Sequence, residues 1–375
     1  MEKYDIDDEF DPSYMRRAIE LARRGTGAVN PNPLVGAVIV KDGRIIGEGY
    51  HVRYGELHAE RAAFASLMDQ ADAEGAVMYV TLEPCCHFGK QPPCVDAIIE
   101  HKIRKVYCGS DDPNAMVAGK GFKRLRDAGI EVYTHCLKAE CDAINGIFFK
   151  YIVNKQPYVT MKYAMTMDGR IATHTGASKW ITGEASRAYV MELRNRHKGI
   201  MAGIGTVLAD DPMLNCRIEN GVDPVRIVCD SHLQIPLECQ LVKTAKDIET
   251  IVCYAEENEE KQKALMEAGV QLIKAEKDGQ VDLEKLMMEL GSMEIDSVLV
   301  EGGGAIHGSF LTSGLVQKVY CYIAPKMIGG KDALSPVLGK GIEKMSDAVE
   351  ITDVTVQNFG GDICVSGHVK QKKEG

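Results

Sequence analysis

The chain has 375 residues, more than one ordinary hydrophobic core organises, so two domains are expected. Its 45% hydrophobic and 26% charged residues are those of a globular protein. Formal net charge is −10, with 19 Lys+Arg against 23 Asp+Glu up to residue 150 and 25 against 31 beyond. That balance argues against nucleic acid, which needs a positive field, and no apolar run is long enough for a membrane span, leaving small-molecule substrates as the expected partners.

Met1 to Phe10 is acidic and lacks the apolar region of a signal peptide. Residues 13–24 read as an amphipathic helix with Ser13 as N-cap. Residues 34–40 and 44–50 read as a hairpin around Lys41-Asp42-Gly43. A helix is expected over 58–67, a buried strand over 77–82 that Pro84 ends, and a helix opened by Pro93 that carries Cys94. Strand 105–109, helix 122–128, strand 130–133 and helix 138–149 follow, and the alternation predicts an α/β/α sandwich around one mixed sheet. The polar stretch Asn154-Lys155-Gln156-Pro157 reads as the joint, which divides the chain into domains over 1–150 and 151–375.

Beyond it, strand 157–164, helix 183–196 and strands 199–203, 225–229 and 251–254 begin a second α/β pattern. Helix 259–268, strand 270–273, helix 282–290 and strand 297–300 continue it, and strands 319–324, 350–357 and 363–369 complete it. Twelve cysteines are scattered through the chain, several of them (Cys108, Cys229, Cys253, Cys321) in apolar strand-like runs where Cys acts as a small buried hydrophobe. A reducing, cytoplasmic setting is the better expectation than a disulfide framework.

The chemistry concentrates in His58-Ala59-Glu60, Pro84-Cys85-Cys86-His87 and Pro92-Pro93-Cys94. One imidazole and two thiolates supply three ligands for Zn²⁺ and leave the fourth position open, the layout of a catalytic zinc site. Glu60 remains as a carboxylate able to move protons without being a ligand. Adjacent Cys85 and Cys86 point in different directions, so Cys85, directly after the Glu83-Pro84 turn, is taken as the ligand and Cys86 as a packing or hydrogen-bonding residue. Cys94 in the first turn of a helix is placed to favour a thiolate. The reading is zinc-dependent hydrolytic deamination of a heteroaromatic ring.

These stretches, with Asn32-Pro33-Leu34-Val35-Gly36-Ala37-Val38, Gly49-Tyr50-His51 and Thr81-Leu82-Glu83-Pro84-Cys85, resemble the cytidine-deaminase-like superfamily. Eight residues separate Cys85 from Cys94, where nucleoside and nucleic-acid members usually have two. With Gly89-Lys90-Gln91-Pro92-Pro93-Cys94, Asp112-Pro113-Asn114 and Val117-Ala118-Gly119-Lys120-Gly121, that spacing resembles the bifunctional riboflavin biosynthesis deaminase/reductases. The resemblance implies deamination of 2,5-diamino-6-ribosylamino-4(3H)-pyrimidinone 5′-phosphate, with Asn32 and His51 at pyrimidine-contacting positions. On residue type alone Asn32 is a turn residue before Pro33 and His51 a polar strand end. His87 and Lys90, between the two cysteines, are either phosphate ligands or solvated loop residues. The family usually has Ser where this chain has Cys86.

The resemblance continues through Asp168-Gly169-Arg170-Ile171-Ala172, Ser178-Lys179-Trp180-Ile181-Thr182, Gly205-Thr206-Val207-Leu208-Ala209-Asp210-Asp211-Pro212 and Glu301-Gly302-Gly303-Gly304, with Thr166 where the family often has Ser. It implies a dihydrofolate-reductase-like domain that uses NADPH to reduce a ribosylamino group to ribitylamino. Ala164, Trp180, Thr206, Asp210 and the turn Gly303, Gly304, Ala305, Ile306, His307, Gly308 and Ser309 would line the NADPH site. Ser178, Arg194, Leu214, Arg217 and Glu301 would line the substrate site, with Arg194 and Arg217 suited to a 5′-phosphate. The glycine-rich strand-to-helix turn admits a phosphate at a helix N-terminus but is not the G-x-G-x-x-G fingerprint of a Rossmann domain. Trp180 reads equally well as a core plug, the two arginines as surface residues, and Lys162 and Asp168 as structural or catalytic. The resemblance also implies a homo-oligomer, a tetramer. A nucleoside or tRNA base deaminase with an accessory domain is disfavoured by the acidic charge and the long Cys85–Cys94 loop. A zinc-stabilised binding protein is disfavoured by Glu60, which a purely structural site does not need.

Overall fold

The computed structural model describes residues 6–370, so the first five residues of the acidic opening stretch lie outside it. The chain divides into two compact units, one ending at Lys155 and the next beginning at Gln156. Residues 151–154, expected in the second domain, form the last turn of a helix of the first. Among the described residues no helix is long and apolar enough to cross a membrane.

The first unit runs α1 (Pro12–Arg23), β1 (Gly36–Lys41), β2 (Arg44–Tyr50), α2 (Ala59–Ala65), β3 (Val77–Leu82), α3 (Cys94–Glu100), β4 (Lys105–Ser110), α4 (Lys120–Asp127), β5 (Glu131–Tyr133), α5 (Lys138–Ile144) and α6 (Gly146–Asn154). Its sheet has the order β2-β1-β3-β4-β5, antiparallel through β2, β1 and β3 and parallel from β3 to β5. Alternate side chains of each strand serve opposite faces. Val38, Val40, Tyr79 and Tyr107 pack with Met15, Ala18, Ile19 and Ala22 of α1 and with Cys141 and Ile144 of α5. Ala37, Ile39, Met78, Val80, Val106 and Cys108 pack instead with α2, α3 and α4. The result is the expected three-layer sandwich.

Two local expectations differ. The N-cap of α1 is Asp11, whose Oδ1 accepts the Ser13 N–H at 2.8 Å, with Pro12 at the first helical position where its missing N–H costs nothing. The helix expected over 138–149 is broken at Asn145. The Asn145 amide accepts the Leu34 N–H at 2.8 Å and donates to the Leu34 carbonyl at 2.9 Å, so it serves the chain entering β1.

The second unit runs β6 (Tyr158–Thr166), α7 (Glu184–Arg196), β7 (Gly199–Gly203), α8 (Ile204–Asp210), β8 (Val225–Cys229), α9 (Gln240–Lys243), β9 (Thr250–Tyr254), α10 (Glu259–Glu267) and β10 (Gln271–Lys274). A small ribbon, β11 (Glu276–Lys277) and β12 (Gln280–Val281), leads to α11 (Leu283–Ser292), β13 (Ser297–Gly302), α12 (Gly304–Ser313), β14 (Val316–Ala324), β15 (Ile351–Phe359) and β16 (Asp362–Val369). The nine-stranded sheet has the order β10-β9-β8-β7-β13-β6-β14-β16-β15. It is parallel from β10 to β14, and β16 and β15 close it antiparallel. One face packs on α11 and α12 through Leu286, Leu290, Ile306 and Phe310, while α8, α9 and α10 cover part of the other through Val207, Leu241 and Leu265. Ligand sites in such sheets form beyond the carboxyl ends of parallel strands, where β7 and β13 deliver Gly203 and Gly302.

Candidate active sites

In the first unit His58 is the N-cap of α2, Cys85 follows β3, and Cys94 opens α3. The His58 Nδ1 atom lies 3.4 Å from the Sγ of Cys85 and 3.4 Å from the Sγ of Cys94. All three donor atoms fall within 4.8 Å of one another, and they are the only such metal-competent group among the described residues. An imidazole and two soft sulfurs at that spacing fit Zn²⁺. Cys86 turns away toward the Met116 carbonyl, with its Sγ at 3.9 Å, and burial raises its thiol pKa.

The two thiols are unequal. Cys85 is lowered to about 4, first by the hydrogen bond from the Cys94 side chain and then by His58 and the Cys94 backbone N–H at 3.3 Å, against the opposing effect of burial. Cys94, fully buried, is pushed well up because its thiol proton is committed to Cys85. The Cys94 N–H at the start of α3 donates to the Cys85 sulfur and so favours that thiolate. His58 is raised by its bond to Cys85. Glu60, in the first turn of α2, is buried, and desolvation raises its carboxyl above the ordinary value.

His51 is buried, its Nδ1 lies 3.0 Å from the Leu57 carbonyl, and its Nε2 lies 3.1 Å from Asn32 Nδ2. Its ring meets that of His58 edge-on, with centroids 5.5 Å apart. The loop between the cysteines is tied down from outside. Arg61 donates to the carbonyls of Pro92 at 3.1 Å and Pro93 at 2.8 Å, and Gln91 donates to that of Gly55 at 3.0 Å. The Lys90 ammonium sits 3.7 Å over the Tyr54 ring, and His87 Nδ1 is buried without a partner. Glu83 accepts the N–H groups of Gly119 and Gly121, both at 3.0 Å, so the residues around 117–121 that mark the resemblance hold the start of α4 to the metal-ligand turn.

In the second unit a cavity of about 480 Å³ brings Ser178, Trp180, Arg194, Thr206, Asp210, Leu214, Arg217 and Glu301 together. Glu301 accepts from Arg194 Nε at 2.7 Å and Nη2 at 2.9 Å, and Arg194 Nη1 donates to the Asn215 carbonyl at 2.8 Å. The Lys162 ammonium lies 3.9 Å from the same carboxylate and faces the cavity. Burial raises Glu301, but Arg194 and Lys162 prevail and hold it at about 2. Arg194, expected as a phosphate ligand, thus spends its donors on Glu301 and Asn215. Arg217, by contrast, makes one bond of 3.3 Å to the Asn215 side chain.

Trp180 is 63% exposed at the cavity and is no core plug. Arg187, unmarked in the sequence because it is one polar residue of a helix face, lies 4.6 Å over its ring. Lys326 donates to the carbonyls of Trp180 and Ile181, each at 2.8 Å. Asp168 stays out of the lining and accepts the N–H groups of Ile328 and Gly329.

Ala164 and residues 303–309 are also absent from that lining. Only Gly303 belongs to the turn, with φ +80, and the rest open α12. A Cβ on Gly304 would stand 2.5 Å from the Ser335 carbonyl oxygen, and one on Gly308 would stand 1.7 Å from that of Leu338. Two of the glycines expected to line the NADPH site therefore admit a neighbouring loop. His307 is buried beneath it, with Nδ1 2.9 Å from the Pro336 carbonyl. Ala164 lies on β6 beside Tyr322 of β14.

Comparison with known proteins bears on both units. Residues 8–110 match the cytidine and deoxycytidylate deaminase zinc-binding region, and residues 157–365 match the RibD C-terminal domain. The chain is 52% identical over 354 residues, 94% of each sequence, to the riboflavin biosynthesis protein RibD of Actinobacillus pleuropneumoniae. It is 39% identical to RibD of Escherichia coli, covering 95% of this chain and 98% of that one. A solved structure from Thermotoga maritima, described as a diaminohydroxyphosphoribosylaminopyrimidine deaminase/5-amino-6-(5-phosphoribosylamino)uracil reductase, superposes with TM-score 0.85 at 37% identity, covering 96% of this chain and 98% of that one. Two active-site-like clusters on two α/β units, matched along nearly their whole length, make this chain a member of the RibD family of bifunctional deaminase/reductases of riboflavin biosynthesis.

Proposed function

We propose that the first unit hydrolyses the ring 2-amino group of 2,5-diamino-6-ribosylamino-4(3H)-pyrimidinone 5′-phosphate. The second unit then reduces the ribosyl group of 5-amino-6-(5-phosphoribosylamino)uracil to ribityl. The observation that carries this reading is the buried Glu60 carboxyl beside a three-donor cluster, on one chain with a separate charged cavity.

His58, Cys85 and Cys94 would hold Zn²⁺, which supplies Lewis-acid activation of water. Glu60 takes the proton released as water attacks C2 and delivers it to the departing amine. Asn32 and His51 form the wall that orients the ring, and His87 and Lys90 on the intervening loop face the ribose phosphate. NADPH supplies hydride to the second reaction, with Trp180, Thr206 and Asp210 on its side of the cavity. Ala164 and the segment from Gly303 through Gly304, Ala305, Ile306, His307, Gly308 and Ser309 stay in the proposed cofactor region as its supporting wall. Ser178, Leu214 and Glu301 orient the sugar, Arg194 holds Glu301 in place, and Arg217 takes the phosphate.

The acting enzyme is a homo-oligomer, a tetramer by family resemblance, and works in the cytoplasm. The first point is supported by the edge strand β15, whose Ile351, Val354 and Val356 are exposed, and the second by twelve free thiols. The test is Glu60→Gln. It retains zinc by metal analysis and keeps NADPH oxidation on the deaminated substrate, while ammonia release falls by about a hundredfold or more. Unchanged ammonia release removes Glu60 from the chemistry.

A further inference from the structure

Trp180, Thr182 and Arg187 line the cavity of the second unit, whereas the groups that hold them, Lys326 and Asp362, stand outside its lining. The Lys326 ammonium takes the carbonyls of Trp180 and Ile181, each at 2.8 Å. Arg187 Nη1 donates to the Thr182 carbonyl at 2.6 Å, and Asp362 Oδ2 accepts the Gly183 N–H at 2.7 Å and the Ser186 hydroxyl at 2.6 Å. Trp180, Ile181, Thr182 and Gly183 thus each give a backbone group to a side chain, in a stretch with no helix or strand to hold it. Gly183 is the N-cap of α7 and has no side chain to offer its first turn. Buried Asp362 supplies that acceptor from the start of β16, 179 residues away, and a carboxylate suits a helix N-terminus. Both points are themselves seated. The Met167 N–H donates to the Lys326 carbonyl at 2.8 Å, and Asp168 accepts the N–H groups of Ile328 and Gly329, the latter at 2.7 Å. Asp362 pairs with Phe359 across the β15–β16 turn.

We infer that Lys326 and Asp362 are positioning residues that clamp residues 180–186 from behind, ordering this wall of the cavity before any dinucleotide arrives, and that Asp168 acts through Lys326. This rests on the reductase reading of the second unit. A segment ordered in advance need not be ordered on binding, so the clamp acts on cofactor affinity more than on turnover. Lys326 is exposed, so cutting its two bonds frees the segment locally without unfolding the unit. Asp168, which the sequence left between a structural and a catalytic role, becomes the anchor of the loop that carries Lys326.

Two measurements on the full chain test this. Trp180 is the single tryptophan, so time-resolved fluorescence anisotropy without cofactor reports on the clamped segment alone. In the wild type the indole turns with the protein, Lys326→Met adds a nanosecond component, and Lys326→Arg, which keeps the donors, removes it. In equilibrium binding, Lys326→Met and Asp362→Ala each raise the Kd for NADPH about tenfold, while kcat at saturating cofactor falls less. Asp362→Asn, whose amide oxygen still accepts, stays within about threefold of the wild type. The double variant Lys326→Met/Asp362→Ala loses less than the product of the two, because both release one segment. An indole as immobile in Lys326→Met as in the wild type overturns the inference, and so do unchanged NADPH affinity, a loss that Lys326→Arg does not restore, or losses that multiply. Urea unfolding shows whether each variant is folded, and if Asp362→Ala is not, Lys326→Met with its Arg rescue decides. Failure of the wild type to bind NADPH counts against the reductase reading, while the anisotropy, measured without cofactor, decides the clamp separately.

Discussion

Glu301→Gln isolates the electrostatics of the second cavity. The Glu301 side chain is 8% exposed and that of Arg194 11%, and they meet in a two-pronged pair at 2.7 and 2.9 Å, with Lys162 at 3.9 Å. The carboxyl is held at about 2 against an ordinary 4.5, although burial alone pushes it up. At about 1.4 kcal/mol per pH unit, that preference for the charged form amounts to roughly 3 kcal/mol. Replacing the carboxylate by an amide leaves the guanidinium and the ammonium buried without their counter-charge, and removing one partner of such a pair costs about 3–5 kcal/mol. The second unit is therefore expected to lose about 3 kcal/mol at pH 7. Because the folded-state value lies below the unfolded one, the contribution is complete above the unfolded value and disappears as pH falls through the folded value. The wild-type and variant stabilities should thus converge between about pH 5 and pH 2. Urea unfolding followed by fluorescence reads this unit selectively, since Trp180 is the single tryptophan of the chain. A difference below about 1 kcal/mol at pH 7, or one that does not shrink in acid, would refute the assignment of a paired, charged Glu301.

Gly308→Ala places a methyl 1.7 Å from the Leu338 carbonyl oxygen, so the loop must leave α12. A cost of about 1–3 kcal/mol is expected in the same urea assay, with NADPH oxidation weakened and ammonia release unchanged. An unaffected transition midpoint would contradict the packing described. Arg61→Met removes both bonds to the Pro92 and Pro93 carbonyls and frees the loop before Cys94. Zinc affinity, measured against a competing chelator, should fall about 10–100-fold, and equal affinity would show that the loop is held by other means. Arg217→Ala should raise the KM of the reduction by about tenfold or more with little change in kcat, whereas a fall in kcat alone would remove Arg217 from phosphate binding.

The metal trio was legible because its chemistry needs particular side chains, and the neighbouring Pro84 and Pro93 mark where a strand ends and a helix begins. The strands were legible because buried parallel strands read as continuous apolar runs, as at residues 251–254. Helix α8, which carries Thr206 and Asp210, was not, because glycines at 203 and 205 and the Asp210-Asp211-Pro212 end give it the composition of a loop. Asn145 broke an expected helix through a partner 111 residues away, which no local pattern encodes. The same holds for Gly304 and Gly308, whose reason lies in residues 335–338, and for Arg194, whose donors are taken by Glu301. Residue type announced charge and backbone freedom at these positions, and only the fold decided what used them.

Supplying the diaminopyrimidinone ribosylamine phosphate to the zinc-loaded protein, first without and then with NADPH, tests the two-step assignment most directly. Ammonia should appear without NADPH, and NADPH should be oxidised once the deaminated product has formed, in equal molar amount to it. Absence of ammonia together with no oxidation of NADPH on the deaminated substrate would contradict the account.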